Sequence, residues 1–306
     1  MTSMFKNPEG YYPANDHPLW NQSVYFNMYD PQNKIGCFIR IGILENLKET
    51  NNWFVFFKDG KPLYTRLNMN LPYTSNRIDK GIEVSGVRVK SIEPLKNAFV
   101  EFSDADFSVS LNWQTIHPMQ DSISLTSNVH SDVSLSEISQ LHMEAPCRVS
   151  GMITISSGQR IEINGIGFRD ISVGPRKWDA LRHYRLAWPI FSNYMAFAGL
   201  HGFLTSGQDV YMNMFHDGTE WLPVTRIDDR NEYDEDEMTL KSMHWKFWDS
   251  RDRMWEFNAK PLFRWFFPLN TFVVAEHMME FRLHDNTVGY GLGECGYRFP
   301  WEGNGN

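Results

Sequence analysis

The sequence has little of what marks the common function classes. Its 306 residues hold three cysteines, Cys37, Cys147 and Cys295, far apart and without the spacing of a metal or redox site. Their odd number argues against a disulfide framework, and they read as reduced thiols of a cytoplasmic protein. No stretch approaches the roughly 18 uninterrupted apolar residues of a membrane span, and the opening MTSMFKNPEG has neither the apolar core nor the cleavage pattern of a secretory leader. No basic stripe relieves a net charge of -8, which argues against nucleic acid as a partner. Gly-x-Ser-x-Gly, His-Glu-x-x-His and Cys-x-x-Cys do not occur, so nucleophile-elbow and zinc hydrolases are not expected. The Gly-x-Gly elements at 165–167 and 291–293 lead into no helix, so no dinucleotide site follows. No cofactor and no metal are expected, and nothing fixes an oligomeric state. Amphipathic helices of three turns are missing as well.

What the chain has in excess is aromatic residues, 11 Trp, 12 Tyr and 22 Phe, and short strand signals. Asp59-Gly60 joins Trp53–Lys58 to Lys61–Leu67 as a hairpin. Phe107-Ser-Val-Ser-Leu-Asn-Trp113 alternates as a half-buried strand does. Ser157-Gly158 separates Arg148–Ser156 from Gln159–Ser172, and Tyr184–Phe203 reads as one further long strand. Residues 114–136 are polar and read as a connection, and residues 1–20 as an arm wrapped on the body. Many short strands at this spacing mean an all-β protein of antiparallel sandwiches or barrels. The length favours two such domains, 1–178 and 179–306. The aromatic cluster Phe263-Arg-Trp-Phe-Phe267, with Trp245, Trp248 and Trp255, suits either a core or the wall of a cavity for a hydrocarbon chain.

The centre of the sequence is Gly165–Trp178, GIGFRDISVGPRKW. Gly165 and Gly167 open it where backbones approach closely. On a strand, Phe168, Asp170 and Ser172 face one way and Arg169, Ile171 and Val173 the other. Charges in mid-strand demand partners. Three constellations carry acid–base chemistry. His142 and Glu144 share a strand face, and a carboxylate beside an imidazole raises its pKa. Asp170 stands with Arg169, Arg176 and Trp178, where Arg steadies an anionic oxygen and Trp faces a cation or polyene. Tyr290 and Glu294 share another face, as do Glu276 and Glu280. Each set has a plainer reading, as ion pairs or hydrogen bonds that tie strands together. The run Asp228–Glu237 supplies six of the eight net negative charges and imitates a magnesium-binding DDxxE. Without a helix to present its carboxylates it reads as a solvated loop.

The run GFRDISVGPRKW, with LHMEAPCRVSG before it and GYGLGECGYR at the far end, resembles the AttH-like and carotenoid 1,2-hydratase-like group, in an uncharacterised bacterial branch. WNQSVYFNMYD and IGCFIRIG fit the same branch, so the resemblance spans nearly the whole chain. It implies two tandem lipocalin-like β-barrel or sandwich domains and a hydrophobic small-molecule substrate, isoprenoid or polyene, held in an aromatic-lined cavity. The family's central motif reads Arg-Asp-His-x-Trp-Gly. Here Ile171 and Val173 stand at the His and Trp positions, and 194–200 shows no Tyr-x-Asp. Two aliphatic side chains cannot donate a proton, so the hydratase mechanism does not transfer as it stands. The resulting expectation is an enzyme of cyclisation, isomerisation or hydration–dehydration. His142, Glu144 and Asp170 would be catalytic, and Arg169, Ile171, Val173, Arg176, Trp178, Trp188, Tyr290 and Glu294 would contact substrate. The alternative is a non-catalytic lipocalin-like carrier.

Overall fold

The computed structural model describes residues 7–127, 139–176, 178–269 and 271–299, and about two-thirds of them lie in antiparallel strands. They separate into two compact units, one of residues up to Gln120 with Ser139–Arg176, the other of 121–127 and everything from 178 onward.

In the first unit β1 (Trp20–Asp30), β2 (Ile35–Leu44), β3 (Glu49–Lys58) and β4 (Lys61–Pro72) form a meander. A second meander follows in β5 (Ile82–Val84), β6 (Val87–Glu93), β7 (Asn97–Ser103) and β8 (Phe107–Thr115). After the two-residue β9 (Gln120–Asp121), β10 (Leu141–Ile155) and β11 (Arg160–Pro175) form a long hairpin that joins the meanders. The sheet runs β4-β3-β2-β1-β11-β10-β8-β7-β6-β5. The glycine-led central stretch therefore pairs with β1 on one side and β10 on the other.

Alternation decides which residues go where. Ile161, Ile163, Ile171 and Val173 of β11 join one apolar core with Leu141, Met143, Cys147 and Val149 of β10 and Val24, Phe26 and Met28 of β1. The residues between them face the other way. Both glycines are required: a Cβ on Gly167 would lie 1.9 Å from the Asn27 carbonyl oxygen, and one on Gly165 2.7 Å from that of Tyr29.

The second unit opens with a helical turn, α1 (Ser122–Thr126), and a 3-10 turn at Trp178–Ala180. A closed barrel follows: β12 (Leu181–Phe191), β13 (Ala196–Leu204), β14 (Asp209–His216), β15 (Trp221–Tyr233), β16 (Leu240–Asp249), β17 (Met254–Leu269), β18 (Phe272–Leu283) and β19 (Val288–Arg298). Its core is aromatic, with Phe191, Phe197, Phe215, Trp245, Phe247, Phe257 and Phe281 in one cluster. Phe197 meets Trp245 edge-on at 6.0 Å, the geometry that ring quadrupoles favour. One seam is weak. β14 and β15 pair only through Met214–Pro223, Phe215–Leu222 and His216–Trp221. Where they part, Thr126 of α1 accepts the Asn213 N–H on its hydroxyl at 3.1 Å.

Two readings of the sequence are corrected. Tyr184–Phe203 is two strands, turning at Tyr194, whose φ is 65°. The acidic run is no loop in its first half, because Asp228–Tyr233 belongs to β15. All three cysteines are free and buried. Among the described residues no helix is long and apolar enough to cross a membrane.

Candidate active site

The hairpin β10–β11 sets Glu144 directly opposite Asp170, and His142 opposite Ser172. All four lie on the face turned away from the apolar core, and all are buried. Two carboxylates opposed across an antiparallel ladder repel one another. The histidine resolves this. His142 Nδ1 lies 2.8 Å from Glu144 Oε1 and Nε2 2.9 Å from Asp170 Oδ2. Burial works against a charge on the ring, but Glu144 and Asp170 outweigh it and push the pKa from 6.5 up to about 10. The ring is thus held as an imidazolium at neutral pH, ion-paired with both acids. Asp170 Oδ1 is buried and, among the described residues, has no hydrogen-bond partner.

The charge state has a consequence for stability. Because the folded pKa lies above the unfolded one, His142 contributes stability that is complete below about pH 6.5 and is lost as pH rises towards about 10. The melting temperature is expected to fall across pH 7–10, with up to about 1.4 kcal/mol lost per pH unit from this ring. Melts of His142→Gln should be flatter over that range. An equal slope in both proteins would mean that the ring carries no proton.

Further along the same face, Arg176 donates to the Ser172 hydroxyl, and Ser139 Oγ lies 3.4 Å from it. On β1, Tyr25 stands opposite Asp170 and Ser23 opposite Ser172. On β2, Arg40 donates to Asn51 at 2.6 Å and to Asn21 at 3.1 Å. Sequence reasoning named Arg176 and the face of Ser172 but missed Ser139 and the residues of β1 and β2. The signal was present in Asn21-x-Ser23-x-Tyr25-x-Asn27, polar at every second position of a strand.

The other expected residues lie elsewhere. Ile171 and Val173 are core side chains on the opposite face, where they line no shared site with Asp170. Arg169 is also on that side, fully buried and ion-paired with Glu9 of the N-terminal arm; the Ser91 hydroxyl donates to the same carboxylate at 2.7 Å. Two cavities of this unit differ from the expected aromatic-walled hollow. One of about 10 Å³ beside Glu9, Gln22 and Ile171 has room for one water. The other, about 580 Å³, is an open groove edged by Arg88, Glu101, Ser108 and Arg160.

Trp178, Trp188, Tyr290 and Glu294 belong to the second unit. Trp178 stacks on Phe272 at 5.1 Å. Glu294 accepts a hydrogen bond from Tyr184 and stands opposite Glu276, while Tyr290 stands opposite Glu280. These side chains lie on the outward face of β12, β18 and β19, since Ala187, Ala275 and Cys295 of the same strands point into the core. Inside the barrel His201 bridges Asp229 at 2.9 Å and Asp209 at 3.2 Å, and Arg185 pairs with Asp229 at 3.0 Å. Asp228 and Asp229, being adjacent on a strand, face opposite ways, so the DDxxE spacing does not converge.

Proteins with this architecture are known. The chain superposes on an AttH-like protein from Nitrosomonas europaea with a TM-score of 0.65 at 11% identity, over 95% of each chain. CghA, solved with Sch210972, gives 0.65 at 11% identity over 95% of this chain and 94% of its own. Kievitone hydratase from Nectria haematococca gives 0.58 at 10%, over 98% and 96%. Identities this low establish the fold alone, and at that level the AttH-like resemblance holds. No curated protein matches the sequence. Residues 9–298 match a single family, and the chain belongs to it: the one described as "Domain of unknown function (DUF7064)".

Proposed function

We propose that the protein is an enzyme that transfers a proton on a hydrophobic small molecule of isoprenoid or polyene type, with Asp170 as the group that meets the substrate. The observation that carries this reading is the open valence of Asp170 Oδ1, in a carboxylate whose other oxygen is held by a protonated histidine. Glu144 and His142 act as positioning residues. Glu144 fixes the ring and the ring fixes the carboxylate, leaving Oδ1 to act. The shared fold with a hydratase, and with a protein solved with Sch210972, agrees with small-molecule chemistry.

The same geometry supports some of these reactions better than others. An imidazolium whose pKa is about 10 is far too weak an acid to protonate an isolated alkene, and both its N–H groups are engaged. A carboxylate with a free oxygen suits the reverse step, removal of a proton from carbon or hydroxyl. Isomerisation and dehydration are therefore favoured over cyclisation started by protonation.

The test is turnover. Purified protein incubated with polyprenyl alcohols, polyprenyl diphosphates and polyenes is expected to yield new products by mass spectrometry. His142→Ala should lower kcat by about 10²-fold, since it removes the partner that holds Asp170 Oδ2. Recovery of unchanged, co-purified ligand without turnover would replace the enzyme by a carrier.

A further inference from the structure

We infer that the substrate of this site carries a carbonyl group conjugated, or able to conjugate, with its unsaturated chain. The Ser172 hydroxyl, backed by Arg176, would hold the carbonyl oxygen while Asp170 removes a proton from the neighbouring carbon. This rests on the proton-transfer reading above and narrows it to a class of substrate.

The argument begins with acidity. A carboxylate removes a proton from carbon only where the resulting electron pair is delocalised onto an electronegative atom, and the charge must then be met by a donor. A donor stands in place. Asp170 and Ser172 share a strand face, so their side chains are one repeat apart, about 6.6–6.8 Å. A carbon acid adjacent to its carbonyl fits that span, with the base about 3 Å from the carbon and the donor about 3 Å from the oxygen.

The surroundings of the hydroxyl leave Ser172 a proton to give. Ser139 Oγ reaches two carbonyls, Leu141 at 2.9 Å and Val173 at 3.3 Å. Either hydroxyl can donate in its 3.4 Å contact with Ser172; with the Ser139 proton spent on the nearer carbonyl, we take Ser172 as the donor of that long, weak bond. Arg176 at the same time donates to the Ser172 oxygen. Accepting from a cation makes the hydroxyl a stronger donor. A developing enolate oxygen competes easily with a neutral serine 3.4 Å away.

The step balances without a co-reactant. The C–H bond breaks and its proton passes to Asp170 Oδ1. The electron pair forms the carbon–carbon double bond of the enolate, whose oxygen takes the charge beside Ser172. Asp170 then returns the proton to the same carbon, or to the far end of a dienolate, which moves the double bond. Ser172 touches the substrate, and Arg176 acts through it as a positioning residue.

The experiment is proton exchange in D₂O with geranylacetone as carbonyl probe and geraniol as its carbonyl-free counterpart, followed by NMR. Wild-type protein is expected to wash out the protons beside the ketone faster than buffer does. Ser172→Ala and Arg176→Gln should each slow this by about 10²-fold through kcat with KM little changed, and Arg176→Lys should recover part of the rate. Thermal melts will show that the variants are folded. Exchange no faster than buffer, or wild-type rates in Ser172→Ala, would overturn the inference. Should geraniol be turned over in an Asp170-dependent way while geranylacetone is untouched, the carbonyl falls and the proton-transfer reading stands. If neither probe reacts, nor any of the polyprenyl compounds and polyenes, both fall.

Discussion

Asp170→Asn is expected to give a folded protein whose turnover is reduced by about 10²–10⁴-fold, the usual worth of a positioned acid–base group. The substitution keeps the shape and an acceptor for His142 Nε2 but removes the basic oxygen. Its folding should not suffer, because it also removes one of two carboxylates set face to face across β10 and β11. A second readout distinguishes chemistry from packing. With one of its two acids gone, the His142 imidazolium loses part of its support, so its titration should move down from about 10. NMR of the ring protons would show this. A variant that turns over at the wild-type rate would take Asp170 out of the mechanism.

The largest effect on stability is expected at Glu9. Arg169 is fully buried, Glu9 is its ion-pair partner, and the two come from positions 160 residues apart. Glu9→Ala would leave a buried guanidinium uncompensated, which costs about 3–5 kcal/mol. At about 2–4 °C per kcal/mol for domains of this size, that is a fall of about 6–20 °C in Tm. The double variant Glu9→Leu/Arg169→Met should recover most of the loss, because two apolar side chains need no counter-charge. Thermal denaturation of the three proteins decides the matter. A Glu9→Ala protein that melts with the wild type would mean that the arm does not pin the sheet through this pair.

The fold was legible because alternation is local. Each β11 residue declares its face by its neighbours, and the pair His142-x-Glu144 declares a shared face in the same way. What joined them to Asp170 was register, and register hangs on one residue of loop. Reading Ser157-Gly158 as a two-residue turn pairs Ser156 with Gln159, whereas the Ile155 N–H in fact bonds the Gln159 carbonyl and Glu144 meets Asp170. An error of one residue sends every side chain to the wrong face. Arg169 was harder still, since nothing near it in sequence announces a glutamate of the arm. β15 was hidden by its charge. Asp229 belongs in the barrel interior only because His201 and Arg185, from two other strands, receive it there.

The incomplete seam between β14 and β15 bears on how this protein can be cut or recombined. The seven residues that begin the barrel unit, 121–127, are encoded inside the sequence of the other, between β8 and β10. A fragment starting at the apparent boundary near 178 would lack Thr126 and leave the Asn213 amide on a bare strand edge, a template for pairing with another copy. The halves are interlocked in the gene, so neither can be shuffled or expressed as a free-standing module without carrying a piece of its neighbour.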